Sequence, residues 1–237
     1  MLKNLKSDLA MIRERDPAAR SICEIMLCYP GFQAIAIHRL SHRLWKSNYK
    51  LKLWARIISH ISRVITGIEI HPGANIGNNV FIDHGMGVVI GETTIIGNRC
   101  LLYQGVTLGG TGKGQLKRHP TLKEGVVVGA GAKVLGNITI GSNTRIGAGS
   151  VVVRDVESEC TVVGIPGRVI HQSGARIKPL NHSELPDAEG KMLKSLMDRI
   201  DFLETELRKL TTINGDKTGP SQNIKDKIVV DYIGDEK

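Results

Sequence analysis

The feature that most constrains the fold is a six-residue apolar repeat. Aliphatic residues fall at Ile70, Ile76 and Ile82, then at Ile90, Ile96, Leu102 and Leu108. They resume at Leu122, Val128, Val134, Ile140, Ile146 and Val152. Glycine follows directly at positions 77, 91, 97, 109, 129, 141 and 147, and a small or β-branched residue tends to stand four places on, as at Ala74, Thr94, Cys100, Ala132 and Ser150. An amphipathic helix repeats about every 3.6 residues and a strand about every two, so neither produces this pattern. A hexapeptide β-helix does. Each repeat supplies a short flat side and a corner, three repeats close a triangular coil, and each aliphatic residue stacks inward on its equivalent one coil away. The spacing predicts a parallel β-helix over residues 69–171, a little over four coils long. Such a narrow interior suits a chain with 27 glycines and only 4% aromatic residues.

The repeat breaks twice. Ile82 to Ile90 is eight residues, so FIDHGMGVVIG carries two extra. Leu108 to Leu122 is fourteen, two repeats plus two, across GGTGKGQLKRHPT. Glycine, lysine and polar residues cannot stack as core there, so this segment is expected to leave the prism as a loop. Loops on a rigid scaffold are where sites tend to be built.

Flanking the repeats, residues 1–68 read as an α-helical domain. Leu2, Leu5, Leu9 and Ile12 share helical spacing before Asp16-Pro17, Ile37, Leu40 and Leu44 mark one face of a second helix, and a third, from about Leu51 to Ile65, carries Leu53, Trp54, Ile57, Ile58, Ile61 and Val64. Residues 172–188 read as a linker. Leu193, Leu196, Ile200, Leu203, Leu207 and Leu210 then follow a heptad spacing within a helix over 190–211, either a coiled coil or a helix docked on its own subunit. The remaining tail is polar and reads as loose.

The formal charge of +9 is spread along the chain without interleaved aromatics, which argues against a nucleic-acid groove and suits a small anionic ligand such as a phosphorylated cofactor. Cys23, Cys28, Cys100 and Cys160 form no CxxC and read as reduced thiols. The segment MLKNLKSDLAMIRERDP lacks a secretory apolar core, and no apolar run approaches membrane-spanning length, so a cytoplasmic location is expected.

The series IHPGANIG, IDHGMGVVIGE, GVTLGGTGKG, RHPTLKEGVVVGAGAKVLGN, IGAGSVV and VVGIPGR resembles the serine O-acetyltransferases, hexapeptide acyltransferases of cysteine biosynthesis. The match runs from Asp16-Pro17 to about Arg168, and GGTGK and RHP are its most specific elements. The resemblance implies a mainly β protein: a left-handed parallel β-helix with an N-terminal α-helical domain and a C-terminal helix. It implies transfer of acetyl from acetyl-CoA, as co-substrate, to the hydroxyl of L-serine, with no metal.

A serine hydroxyl needs a general base, and histidine titrates near the operating pH. His84 lies in the first break, after Asp83 and before Gly85. Together with the resemblance this marks it as the base. The resemblance also makes Asp16 and the acid at position 69 its orienting partners; the family usually has Asp there, whereas Glu69 keeps the charge and reaches one methylene further. A zwitterionic substrate needs a cation for its carboxylate and an anion for its ammonium. Arg118 suits the first, Asp83 the second, and His119 a further contact or oxyanion donor. By resemblance, Gly110, Thr111, Ala130 and Ala148 line the pantetheine arm, and Arg145 stands where the family often has Lys near the phosphates. Lys113 and Arg168 are further candidate cations. GGTGK lacks the spacing of a phosphate-binding P-loop.

Three other readings share the scaffold: an acetyltransferase for a sugar or xenobiotic acceptor, a γ-type carbonic anhydrase, and a non-catalytic scaffold. The second needs three histidines around one zinc, two of them at HxxxxH spacing, which is missing here. His38 and His42 are four apart on a helix without an evident third ligand. The resemblance implies a homotrimer with grooves between neighbours. The 68 residues before the repeats are fewer than in many members, which favours a trimer over a dimer of trimers. The chain ends Gly234-Asp235-Glu236-Lys237 where many members end in Ile, so a cysteine synthase complex is not expected.

Overall fold

The computed structural model describes residues 2–112, 114, 116–172 and 188–213. The chain divides into two units, Met1–Pro186 and Asp187–Lys237. Four helices open the first: α1 (Leu2–Arg15), α2 (Ile22–Cys28), α3 (Pro30–Ser47) and α4 (Lys52–Thr66). The short α2 is an addition to the sequence reading. Its start is set by a cap in which the Ser21 hydroxyl accepts the Glu24 N–H at 3.1 Å.

The faces of α3 and α4 reverse the apolar stripes. Helix α3 buries Phe32, Ala34, Ile35, His38 and Ser41, while Leu40, on the expected face with Ile37 and Leu44, is exposed. The cause is close docking: a Cβ on Gly31 would lie 2.0 Å from the Ile82 carbonyl oxygen, so the small-residue side of α3 faces the first coil. Helix α4 buries Ala55, Ser59, Ser62 and Thr66 and turns Leu53, Trp54, Ile61 and Val64 outward. The Ser59 hydroxyl donates to the Ile70 carbonyl at 2.6 Å, pinning this polar face to the first strand. Gly67, at φ 70°, ends α4 and donates its N–H to the Arg63 carbonyl.

The prism begins with β1 (Glu69–Ile70), β2 (Asn75–Ile76) and β3 (Phe81–Ile82), one on each side. The next coils are β4 (Val89–Ile90), β5 (Ile95–Ile96), β6 (Leu101–Leu102), then β7 (Thr107–Gly109), β8 (Thr121–Leu122), β9 (Val127–Val128), then β10 (Lys133–Leu135), β11 (Thr139–Ile140), β12 (Arg145–Ile146). Strands β13 (Val151–Val152) and β14 (Cys160–Val163) start a last coil, and β15 (Arg168–Gln172) closes it antiparallel to β14. The sheets run β1-β4-β7-β10-β13, β2-β5-β8-β11 and β3-β6-β9-β12-β14-β15. Parallel pairing puts the aliphatic column in register, as in Ile70 with Ile90, Ile90 with Leu108 and Leu108 with Val134. These side chains form one continuous core together with the small positions Ala74, Cys100 and Ala132.

Both register breaks lie at corners. The second is larger than the repeat arithmetic suggests. Leu108 and Leu122 stand on consecutive sides, a step that takes six residues where the repeat is regular and here takes fourteen, so the whole excess of eight lies in the loop. In the second unit, α5 (Ala188–Ile213) exposes Leu196, Ile200, Leu203 and Leu207. Most of the expected linker and most of the expected loose tail lie outside the described residues. Among the described residues, no helix is long and apolar enough to cross a membrane.

Candidate active site

The candidate residues gather at two adjacent corners of the prism. At the first, the Asp83 N–H still makes its interstrand bond, to the Leu102 carbonyl at 2.8 Å. The chain then turns left-handed at His84 (φ 58°) and Gly85 (φ 72°), which absorbs the two extra residues. Histidine tolerates this region better than most residues. The turn throws its side chain outward, 73% exposed, with Nε2 3.9 Å from an Asp83 carboxylate oxygen. Below it, hydrogen bonds join successive corners: Gly105 N–H to the Met86 carbonyl, Gly131 to Gln104, and Gly149 to Ala130. The corner that holds His84 therefore continues, coil by coil, to the corners that hold Ala130 and Ala148.

Beside this corner, Asp16 accepts the Ala18 N–H at 2.8 Å and the Tyr29 hydroxyl at 2.6 Å. Burial, then the bond to Asp16 and the nearby carboxylates, hold the Tyr29 hydroxyl well above its usual pKa. Burial, with Asp83 and Asp16 adding to it and Arg145 opposing, pushes Tyr103 up to about 12. Burial lowers the pKa of Arg145. Asp16, Asp83 and Arg145 thus share one neighbourhood around two phenols, Tyr103 buried and Tyr29 partly buried.

The second corner opens a groove of about 450 Å³ lined by Arg56, Glu69, His71, Glu92, Arg118 and His119, with Gly110 on its wall. His119 is buried at 7% exposure. Its Nδ1 lies 2.9 Å from the Thr93 hydroxyl and accepts the Thr93 N–H at 3.2 Å, while Lys117 donates to its carbonyl. Burial, then Arg118 and Lys117, lower its pKa, against a raising pull from Glu92. Burial also takes His71 down to about 4. A Cβ on Gly91 would sit 2.0 Å from the His119 ring, so glycine there makes room for the imidazole.

The predicted residues therefore fall into two sets. Asp16, Asp83, His84, Ala130, Arg145 and Ala148 belong to the first corner; Glu69, Gly110, Arg118 and His119 belong to the second. Thr111 joins the second, donating its N–H to the Arg118 carbonyl at 3.3 Å. Glu69 is paired with Arg63 at 3.0 Å. Lys113 lies outside the described residues, and Arg168 opens β15. Tyr29, which lies before the repeat, and Thr93, which does not disturb it, carried no signal in the spacing. Among the described residues, no cluster of three or more His, Cys, Asp or Glu is arranged to hold a metal ion.

Residues 1–37 match the family model "Serine acetyltransferase, N-terminal", and residues 119–154 match "Bacterial transferase hexapeptide (six repeats)". A serine acetyltransferase of Synechococcus elongatus is 62% identical over 89% of this chain and 85% of its own. One of Bacillus subtilis is 55% identical over 86% and 93%. Among solved structures, Neisseria gonorrhoeae serine acetyltransferase aligns with a TM-score of 0.71 at 44% identity, over 73% of this chain and 66% of that one. Two further serine acetyltransferase structures, one a complex with cysteine and one with CoA, align with TM-scores of 0.70 and 0.66 at 42% and 41% identity; they cover 73% and 71% of this chain and 66% and 69% of theirs. These likenesses agree with the expected left-handed β-helix and its N-terminal helices, and with identities of this size over most of its length the chain belongs to the serine acetyltransferase family.

Proposed function

We infer that the protein transfers acetyl from acetyl-CoA to the hydroxyl of L-serine, giving O-acetylserine, the first step of cysteine biosynthesis. The observation that carries this reading is the second corner, in a chain of this family: a guanidinium and an imidazole side by side on an open groove, one corner away from an outward histidine. His84 takes the hydroxyl proton as the serine oxygen attacks the acetyl carbonyl. The tetrahedral oxyanion is met by the His119 Nε2–H. Collapse expels the CoA thiolate, which is reprotonated by the His84 imidazolium. Arg118 grips the serine carboxylate and Asp83 its ammonium, while Asp16, held by Tyr29, and Glu69 act on the base.

The acetyl-CoA arm runs along Gly110, Thr111, Ala130 and Ala148 towards Arg145. The corners flank one side of the prism, so we place the complete site between copies in a homotrimer, His84 of one facing Arg118 and His119 of the next. Two features support association. Helix α4 carries Leu53, Trp54, Ile61 and Val64 on its outer face, and α5 exposes its heptad positions. Cysteine differs from serine by sulfur for oxygen; the cysteine complex of a relative supports its competing for the same pocket. The four free thiols fit a reducing cytoplasm.

The test is acetyl-CoA turnover read by free-thiol release against serine, sugar and xenobiotic acceptors. The reading predicts release with serine and O-acetylserine in the products. Turnover only with another acceptor refutes it.

A further inference from the structure

The hydrogen bonds around Thr93 decide which nitrogen of His119 carries its proton. The Thr93 N–H points at Nδ1 from 3.2 Å, and a backbone amide can only donate. The Thr93 hydroxyl oxygen accepts two further backbone N–H groups, from Arg118 at 3.1 Å and His119 at 3.2 Å. Both its lone pairs are then used, so its own hydrogen is left for Nδ1, 2.9 Å away. Nδ1 is thus faced by two donors and no acceptor. A proton on it would meet another proton.

We propose that Thr93 is a positioning residue: it holds His119 as the Nε2–H tautomer and fixes its ring and the Arg118 backbone in one orientation. His119 then presents a hydrogen-bond donor, and no basic lone pair, to the groove. Its Nε2 lies against two glycines: an added Cβ would be 2.1 Å from it at Gly91 and 3.0 Å at Gly110. Both glycines line the groove together with His119. This divides the labour between the two imidazoles. Among the described residues, the outward His84 has no such pair of donors at its ring; the pinned His119 does. Burial and the neighbouring cations Arg118 and Lys117 act in the same direction, keeping the ring neutral.

The tautomer stands on geometry alone, whereas the use made of it rests on the serine-acetylating reading above, and the experiment separates them. Long-range proton–nitrogen correlation spectra of the histidine-labelled protein, with His119 assigned by its loss in His119→Gln, are expected to show Nδ1 unprotonated and Nε2 protonated between pH 6 and 8. A proton on Nδ1 overturns the proposal whether or not serine is acetylated. The expected Nε2–H form in a protein without serine turnover upholds the tautomer while refuting the catalytic reading.

Kinetics test the consequence. Thr93→Ser keeps the hydroxyl and is expected to keep kcat. Thr93→Val keeps the shape and loses the hydroxyl, so kcat should fall about tenfold, with the KM for acetyl-CoA unchanged, as expected for a misaimed donor. His119→Gln retains an N–H near Nε2 but cannot serve as a base; it should keep at least about tenfold more activity than His119→Ala. Equal loss in Gln and Ala, or a wild-type kcat in Thr93→Val with unchanged melting, overturns the positioning role.

Discussion

Gly91→Ala isolates the placement of His119 without touching its chemistry. Gly91 does not use the left-handed region, so alanine brings no backbone strain. It does add a methyl group 2.0 Å from the ring carbon Cδ2 and 2.1 Å from Nε2. Ordinary contact begins near 3.4 Å, so the ring must retreat by about 1.4 Å. It cannot do so while both Thr93 groups hold Nδ1 at 2.9 and 3.2 Å. The substitution therefore gives up those bonds, about 1–2 kcal/mol in total, and leaves the donor displaced. A misplacement of about 1 Å costs on the order of a hundredfold in rate, so kcat should fall about that much. Thiol release gives the rate, and circular dichroism with thermal melting tests the fold, which should survive because the three atoms nearest the methyl all belong to the His119 side chain. Activity within about twofold of the parent would refute the placement of His119 in the catalytic path.

His84→Ala should lower turnover at least about a hundredfold, the usual size of base loss, with the oligomer intact by light scattering. Arg118→Ala should mainly raise the KM for serine; an effect confined to acetyl-CoA would show that the guanidinium serves the other substrate. Ile61→Glu places a charge on the outer face of α4, where Ile61 is 52% exposed in the single chain; it should weaken association by about 2 kcal/mol or more per interface and give folded, less active monomers. Buried His38 titrates at about 3 in the fold, lowered by burial and then by His42 and Arg39, against about 6.5 when unfolded. As pH drops below about 6.5 the unfolded chain binds a proton that the native one refuses, so stability falls by about 1.4 kcal/mol per pH unit towards pH 3. A His38→Gln variant that melts should show a shallower acid loss.

The prism was legible because one six-residue period fixes which side chains meet. Ile70, Ile90, Leu108 and Val134 stack as the spacing requires, and the breaks at His84 and after Leu108 fall at corners. The helical faces were not legible. A stripe such as Trp54, Ile61 and Val64 normally faces the core of its own chain, but Ser59 bonds the first strand and the outer face is left for another surface. Glu69 was readable as an acid at the mouth of the prism, but its pairing with Arg63 depends on the last turn of α4. The neighbours of the candidate residues, Tyr29 under Asp16 and Thr93 behind His119, lie outside the repeat in one case and at an undisturbed position of it in the other, so only distances identify them. What the register breaks located was the candidate residues; what they could not locate was the scaffolding around them.

The most direct test of the account is to mix two inactive proteins. His84→Ala and His119→Ala each disable one corner, and a site built between copies is restored wherever an intact His84 meets an intact His119. Co-expressed in equal amounts and assembled at random, the pair should recover serine-dependent thiol release at about a quarter of the parent rate, the fraction of interfaces with both corners intact in a cyclic trimer. A mixture no more active than its parts would contradict a site shared between neighbours.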